Sequence, residues 1–117
     1  MKYDDNNIFA KILREEIPCK KVFENEYALA FHDINPQAKL HILVIPKGKY
    51  ISFADFSKNG SKDEIEGFFK AVGKVAEDQN LVAEGYRILA NHGINAGQEV
   101  PHFHVHILGG ENLRGIK

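Results

Sequence analysis

Cysteine is almost absent from this sequence, and long apolar runs are missing altogether. Cys19 is the only cysteine among 117 residues, so the chain cannot form an intramolecular disulfide or a cysteine-rich zinc site. No apolar run approaches the roughly 20 residues that a membrane-spanning helix requires. The sequence therefore predicts no membrane partner, and its 44% of apolar residues are available to build a packed core.

An excess of charge of either sign is also missing. Lysine and arginine number 15, and aspartate and glutamate number 16, so the charge balance does not suggest nucleic acid as a partner. The first seven residues are polar and lack the basic start and apolar stretch of a signal peptide. We therefore expect a cytoplasmic protein.

Apolar spacing and capping residues predict two helices. Asn7 can cap a helix that begins at Ile8, and Pro18 stops it because the residue before a proline avoids the α region. The longer helix starts with a capping box of the Ser-x-x-Glu form at Ser61, and its apolar spacing continues to Gln79 or Asn80.

Five short apolar runs predict β-strands within a single domain, residues 1–117. Residues 48–60 are predicted to be a loop, and two glycines mark another at residues 93–97. Close sequential strands favour antiparallel pairing, so the expected class is α+β. The predicted strands are Val22–Glu24, Tyr27–His32, Leu40–Ile45, Gly85–Asn91 and Pro101–Leu108.

Histidine is unusually concentrated near the end of the chain. Six histidines are present, and three of them, His102, His104 and His106, lie within five residues. Alternate side chains of a strand share a face, so these three imidazoles are expected to lie together. The apolar residues between them are expected on the opposite face, against a helix.

Three interpretations of this histidine face remain open from the residues alone. The first is an ordinary strand with a polar face. The second is a metal site, but the outer histidines lie roughly 13 Å apart at about 3.3 Å per residue, so an ion would need ligands such as His41 or Asp33. The third is catalysis, because neutral imidazole is a nucleophile toward phosphorus near pH 7 and its neighbours can shuttle protons.

Segments along nearly the whole chain resemble a known family. The run Gly97–Gly110 contains His-x-His-x-His-x-x with apolar x, and it resembles the motif of the histidine-triad (HIT) superfamily. The Leu-Gly-Gly that follows the histidines resembles the Hint branch of that superfamily. Further segments resemble Hint proteins in the same order, namely Ile8–Ile12, Glu16–Pro18, Ala30–Ile34, Pro36–Ala38 and His41–Lys47.

The resemblance implies a fold, an activity and an assembly. The fold would be HIT-like, with a five-stranded antiparallel sheet and two helices, and a homodimer would join two sheets into ten strands. The activity would be hydrolysis of purine nucleoside 5′-phosphoramidates to a monophosphate such as AMP, without cofactor or metal. Two alternatives stay open, a dinucleoside polyphosphate hydrolase and a nucleotide-binding interaction protein with incidental activity.

The resemblance also implies roles for four histidines. His104 would attack the α-phosphorus and form a nucleotidyl-histidine intermediate. His106 would contact the phosphate and help to protonate the leaving amine. His102 would position His104 through its backbone carbonyl, and His41 would complete the proton network from a neighbouring strand.

A nucleotide-binding set follows from the same resemblance. Asp33 would accept hydrogen bonds from the ribose hydroxyls, and Asn91 would hydrogen-bond near the phosphate. Four residues before the triad would cradle the phosphate with backbone N–H groups, namely Gly97, Gln98, Glu99 and Val100. The base pocket would be formed by Phe9, Ile12, Ile17, Phe31, Ile34 and Leu43.

Overall fold

A computed structural model describes residues 2–115 of the chain. Met1, Ile116 and Lys117, which belong to the predicted domain, lie outside the described residues. The described residues form three α-helices, five β-strands and one 3-10 turn. In chain order these are α1 (Ile8–Leu13), β1 (Lys21–Glu24), β2 (Ala28–His32), β3 (Leu40–Pro46), α2 (Phe53–Asn59), α3 (Lys62–Asp78), β4 (Tyr86–Leu89), the 3-10 turn (Ile94–Ala96) and β5 (Val105–Gly109).

The five strands form one antiparallel sheet in the order β1-β2-β3-β5-β4. This confirms the predicted α+β class and the five-stranded antiparallel sheet. Leu43 of β3 lies opposite Phe31 of β2 on one side and His106 of β5 on the other. Since directly opposed residues share a face, these three side chains form one row across the sheet.

Helices cover both faces of the sheet. On one face, α3 packs Phe68, Val72 and Val75 against a buried cluster that includes Phe103, the strand residues Val105 and Ile107, and other apolar side chains. On the other face, α1 packs against the second cluster, which contains Phe9, Ile12, Leu29, Phe31, Leu43 and Ile45. The side chains of residues 102–107 therefore alternate between the two faces as predicted. The apolar residues face α3, and the histidines lie on the α1 side.

The structure contains one helix more than the predicted two. Residues 53–59, predicted as part of a loop, form α2. The Ser52 hydroxyl accepts a hydrogen bond from the Asp55 N–H at its start, and Phe56 is buried with its ring stacked 5.1 Å from that of Phe103. Packing of one aromatic ring stabilises a helix too short for a clear apolar period.

Several helices and strands are shorter than predicted. Helix α1 ends at Leu13, several residues before Pro18, and Glu15 adopts a left-handed φ of 63°. Strand β5 begins at Val105 instead of Pro101, because the Phe103 N–H bonds to the Tyr50 carbonyl and not to a neighbouring strand. Among the described residues, no helix combines the length and apolar character needed to cross a membrane.

Candidate active site

Four histidines lie together on the α1 side of the sheet. His106 is in β5, His102 and His104 lie in the segment just before it, and His41 is in β3. His41, His102 and His104 are all buried, and the ring of Phe9 from α1 stands edge-on 5.0 Å from that of His104. The prediction that all three triad histidines lie within a strand was therefore wrong for two of them, although the three remain on one side of the sheet.

The protonation of His104 follows from its hydrogen bond to the main chain. Its Nδ1 lies 2.7 Å from the carbonyl oxygen of His102, and a carbonyl can only accept. The ring proton is therefore on Nδ1, and Nε2 keeps its lone pair. Burial lowers the pKa of His104, so the ring is neutral near pH 7. A neutral imidazole with a free Nε2 lone pair is the form required of a nucleophile.

The tautomers of His41 and His106 follow in sequence from a backbone amide. The N–H of Gln37 donates to His41 Nδ1 over 2.9 Å, so the proton of neutral His41 is on Nε2. That Nε2 lies 2.9 Å from Nδ1 of His106 and donates to it. The proton of His106 is therefore on its own Nε2. Burial lowers the pKa of both rings, to about 4 for His106.

The Nε2 atom of His106 lacks a hydrogen-bond partner among the described residues. It is buried and makes no hydrogen bond within residues 2–115. A buried N–H donor without an acceptor is unfavourable. His106 and His104 lie side by side, with ring centroids 5.1 Å apart. The site therefore combines a free nitrogen lone pair with an unsatisfied donor, an arrangement that suits an electrophile carrying a negatively charged oxygen.

Comparison with known proteins identifies the family to which the chain belongs. The HIT domain model matches residues 14–113, which is most of the chain. The chain belongs to the HIT domain family. An uncharacterized 13.2 kDa HIT-like protein of Azospirillum brasilense is 60% identical to it over 111 residues, which cover 95% of this chain and 91% of that protein.

Solved structures of other HIT proteins share the fold. A histidine triad protein from Clostridium difficile superposes with a TM-score of 0.87 and 39% identity, and the match covers 100% of both chains. A HIT family hydrolase from Legionella pneumophila Philadelphia 1 superposes with a TM-score of 0.86 and 38% identity, over 93% of this chain and 96% of that one. The matches establish the HIT family and do not distinguish the Hint branch within it.

His102 of this HIT protein is fixed at both ring nitrogens. Its Nε2 lies 2.9 Å from the carbonyl oxygen of Pro46, and its Nδ1 lies 2.6 Å from the hydroxyl of Tyr3. Burial lowers the pKa of His102 to about 4. Tyr3 was missed by sequence reasoning, because a tyrosine 99 residues away from the motif carries no spacing signal.

The Asp33 carboxylate makes two contacts. One carboxylate oxygen accepts the Asn35 N–H over 2.8 Å, as in an aspartate turn, and the other lies 3.4 Å from His41 Nε2. Asp33, His41 and His106 each bring a ligand atom within 4.8 Å of the others, so these three could hold a metal ion. The three triad histidines do not form such a set within the described residues, and the facing nitrogens of His41 and His106 already share a hydrogen bond.

The predicted base-pocket residues mostly pack together. Four of the six are buried in the cluster beneath α1, and Ile17 packs against them. Ile34 is the exception, since it is 87% exposed and lies outside this cluster. A cavity of about 260 Å³ opens beside the cluster, and Ile12, Ile17, Cys19 and Leu29 are among its lining residues.

The loop before the triad offers fewer free N–H groups than predicted. The Gly97 and Gln98 N–H groups already donate to the carbonyls of Ile94 and Gly93. The contacts of these two residues with phosphate stay predictions. The Gln98 side chain instead braces the loop, accepting from the Gly93 N–H and donating to the carbonyls of Ile51 and Val100.

The remaining predicted phosphate contacts lie on either side of that turn. Glu99 is exposed, and Val100 packs against the apolar cluster that contains Phe9. The Val100 carbonyl accepts the His102 N–H over 2.8 Å, so this part of the loop leads directly into the triad. Asn91 is half-buried in the segment after β4. The contacts of these three residues with phosphate stay predictions.

Proposed function

We propose that this HIT protein hydrolyses purine nucleoside 5′-phosphoramidates and releases a monophosphate such as AMP. The single observation that carries the proposal is that two neighbouring rings present different groups: His104 has a free Nε2 lone pair, and His106 has an unsatisfied Nε2–H. The first can attack phosphorus, and the second can donate to a phosphoryl oxygen or to the departing amine. The similar Legionella protein is a HIT family hydrolase, which supports hydrolysis as the reaction class.

The proposed first step transfers the nucleotide to His104. A bond forms between its Nε2 and the α-phosphorus while the phosphorus–nitrogen bond to the amine breaks. The amine takes the Nε2 proton of His106, which receives the Nε2 proton of His41 at its Nδ1. A solvent proton then restores His41 Nε2, and the Asp33 carboxylate lies 3.4 Å from that nitrogen. The adduct on His104 is a cation, and the His102 carbonyl stabilises its remaining N–H.

The proposed second step is hydrolysis of the adduct. A water oxygen bonds to phosphorus as the bond to His104 Nε2 breaks, and the water gives up one proton. That proton balances the one consumed in the first step, so the two steps together consume no net proton. The proposed mechanism uses neither a cofactor nor a metal. In this proposal Asp33 binds the ribose, the cluster beneath α1 binds the purine, and Asn91 with the N–H groups of Glu99 and Val100 binds the phosphate.

A turnover panel with matched variants tests the proposal. We expect wild-type protein to hydrolyse an adenosine 5′-phosphoramidate, and His104→Ala to lose activity by roughly a thousandfold or more because the covalent route is deleted. His92→Ala, which removes an exposed histidine outside the site, is the control and should retain activity. A His104→Ala protein with most of the wild-type turnover would refute the mechanism.

The same panel distinguishes the alternatives. Faster turnover of diadenosine tetraphosphate would favour a dinucleoside polyphosphate hydrolase. Tight AMP binding with negligible turnover of every substrate would favour an interaction protein. Loss of activity with a chelator, together with stoichiometric zinc in the purified protein, would favour a metal enzyme using Asp33, His41 and His106.

A second copy of the chain is the partner that we propose, paired along β4. The two edges of the sheet differ in character. The β1 edge carries the exposed Lys21 and Glu24 as an ion pair, and charged edges discourage strand pairing. The β4 edge carries the exposed apolar residues Tyr86 and Ile88 beside a groove of about 200 Å³. Apolar side chains next to unpaired backbone groups favour pairing of β4 with its copy into a ten-stranded sheet.

A further inference from the structure

The N-terminal segment reaches the histidine site through Tyr3. Its hydroxyl lies 2.6 Å from His102 Nδ1, and the two rings meet edge-to-face with centroids 5.7 Å apart. Two further contacts tie the segment down: the Asp5 carboxylate pairs with Lys49 over 2.8 Å, and the Asp5 carbonyl accepts from Arg14 over 2.8 Å. Tyr3 is therefore held in place by the fold around it.

The contact at Nε2 of His102 determines which group donates in the hydrogen bond between Tyr3 and Nδ1 of His102. The Pro46 carbonyl can only accept, so the proton of neutral His102 is on Nε2. Nδ1 then has a lone pair and must accept, and the Tyr3 hydroxyl is its donor. His102 has no exposed surface, so water cannot readily replace that donor. Every polar atom of the ring is satisfied in this one arrangement.

The hydrogen bond from Tyr3 affects His104, the proposed nucleophile, because His102 contacts both residues. Its backbone carbonyl accepts the Nδ1 proton of His104 over 2.7 Å, which leaves the attacking Nε2 unprotonated. A ring held at both nitrogens limits rotation of the residue that provides this carbonyl. A neutral His102 also avoids a second positive charge beside His104 when the latter becomes a cationic adduct.

We propose that Tyr3 is a positioning residue for the phosphoramidase reaction: its hydroxyl and the Pro46 carbonyl together hold His102 in its Nε2–H tautomer, and His102 in turn orients His104. The proposal rests on the function proposed above. Tyr3 acts through His102, because its hydroxyl donates to His102 Nδ1 and its ring meets the His102 ring edge-to-face. It should therefore affect the chemical step and leave nucleotide binding almost unchanged.

Tyr3→Phe is the decisive variant, because it keeps the aromatic ring and removes only the donor. Tyr27→Phe is the matched control, since the Tyr27 ring packs against Gly67 on α3, away from the histidines. Long-range proton–nitrogen NMR spectra of the imidazoles give the first readout and require no substrate. Steady-state kinetics on adenosine 5′-phosphoramidate give the second, with kcat and KM determined separately.

We expect the His102 Nδ1 resonance of Tyr3→Phe to move toward that of an unbonded imidazole nitrogen. We also expect kcat to fall about tenfold, the rate equivalent of one net neutral hydrogen bond, with KM unchanged. Tyr27→Phe should match wild type in both measurements. An unchanged His102 resonance, an unchanged kcat, or a rise in KM in place of a fall in kcat would overturn the proposal.

The two readouts separate this proposal from the proposed function. If wild-type protein hydrolysed no phosphoramidate, the proposed function would fail, and the part of Tyr3 in that reaction would fail with it. The NMR spectra would still decide whether the Tyr3 hydroxyl donates to His102 Nδ1. If wild-type protein were active and Tyr3→Phe matched it in kcat, the positioning proposal alone would fail.

Discussion

Backbone groups fix the tautomers of most imidazoles in this site. The carbonyl of His102 takes the Nδ1 proton of His104, and the amide of Gln37 occupies Nδ1 of His41. Two rings also depend on side chains, since His106 Nδ1 accepts from His41 and His102 Nδ1 accepts from Tyr3. These hydrogen bonds are already present in the structure, so the lone pair of the nucleophile and the unsatisfied donor of His106 are in place before a substrate binds.

The unsatisfied donor of His106 gives a prediction about binding. His106→Ala should weaken AMP binding about 10- to 100-fold, because a hydrogen bond to a charged group contributes about 1.5–3 kcal/mol. His106→Gln should lose less, since its amide can present an N–H near the same place. Isothermal titration calorimetry measures both, with His92→Gln as the exposed control. Equal losses in the two His106 variants would mean that the donor does not bind the phosphate.

The residues of the site differ in how far the sequence could predict them. The histidines of the triad alternate, so their common side of the sheet was predictable from period two. Their partners Tyr3, Gln37 and Pro46 were not predictable in this way. Two of them act through backbone atoms, and the third lies 99 residues from its partner, so no side-chain pattern records the contacts.

Among the elements, those with local signals were predicted best. Ser61 and Glu64 form both hydrogen bonds of the predicted capping box, and α3 follows it with a buried apolar stripe. Helix α2 lacks such a stripe, because Phe56 is its only buried residue. Its existence depends on contacts with Phe68 of α3 and Phe103 before β5, which are tertiary and leave no local pattern.

The edge strand β4 gives a prediction about assembly. Ile88→Lys should convert a dimer to monomer, because it places a charge among the apolar side chains that the two copies of the strand would bring together. Sedimentation velocity measures the change, and Ile8→Lys is the control, since Ile8 is similarly exposed but lies on α1. Wild-type protein that sediments as a monomer, or an Ile88→Lys protein that remains dimeric, would contradict pairing along β4.

At the scale of the whole molecule, buried neutral histidines link folding to pH. The unfolded chain protonates His102 near pH 6.5, whereas burial lowers the pKa of the folded ring to about 4. The unfolded state therefore binds more protons between these values, and folding stability decreases as pH falls through this range. Burial also lowers the pKa of His41, His104 and His106, so their contributions have the same sign.

We expect the free energy of unfolding to fall between pH 6.5 and pH 4.5. His102 alone contributes up to about 3 kcal/mol by pH 4, at about 1.4 kcal/mol per pH unit. Ion-paired carboxylates affect stability at lower pH. Lys21 and Lys47 lower the pKa of Glu24 to about 2, so the stability that Glu24 contributes is lost only as the pH falls below its usual pKa of 4.5. Urea denaturation at a series of pH values measures the trend, and His102→Asn should flatten it. A constant free energy across this window would contradict neutral burial of the histidines.

In the proposed mechanism His104 carries the nucleotide between the two steps, and this covalent adduct can be measured directly. Wild-type protein is mixed with excess adenosine 5′-phosphoramidate and quenched in alkali within one turnover, since acid cleaves phosphorus–nitrogen bonds. Intact mass and peptide mapping then locate any added group. We predict one adenylyl group on His104, and none in His104→Ala. Active protein with no adduct, or with the adduct on another residue, would contradict the claim.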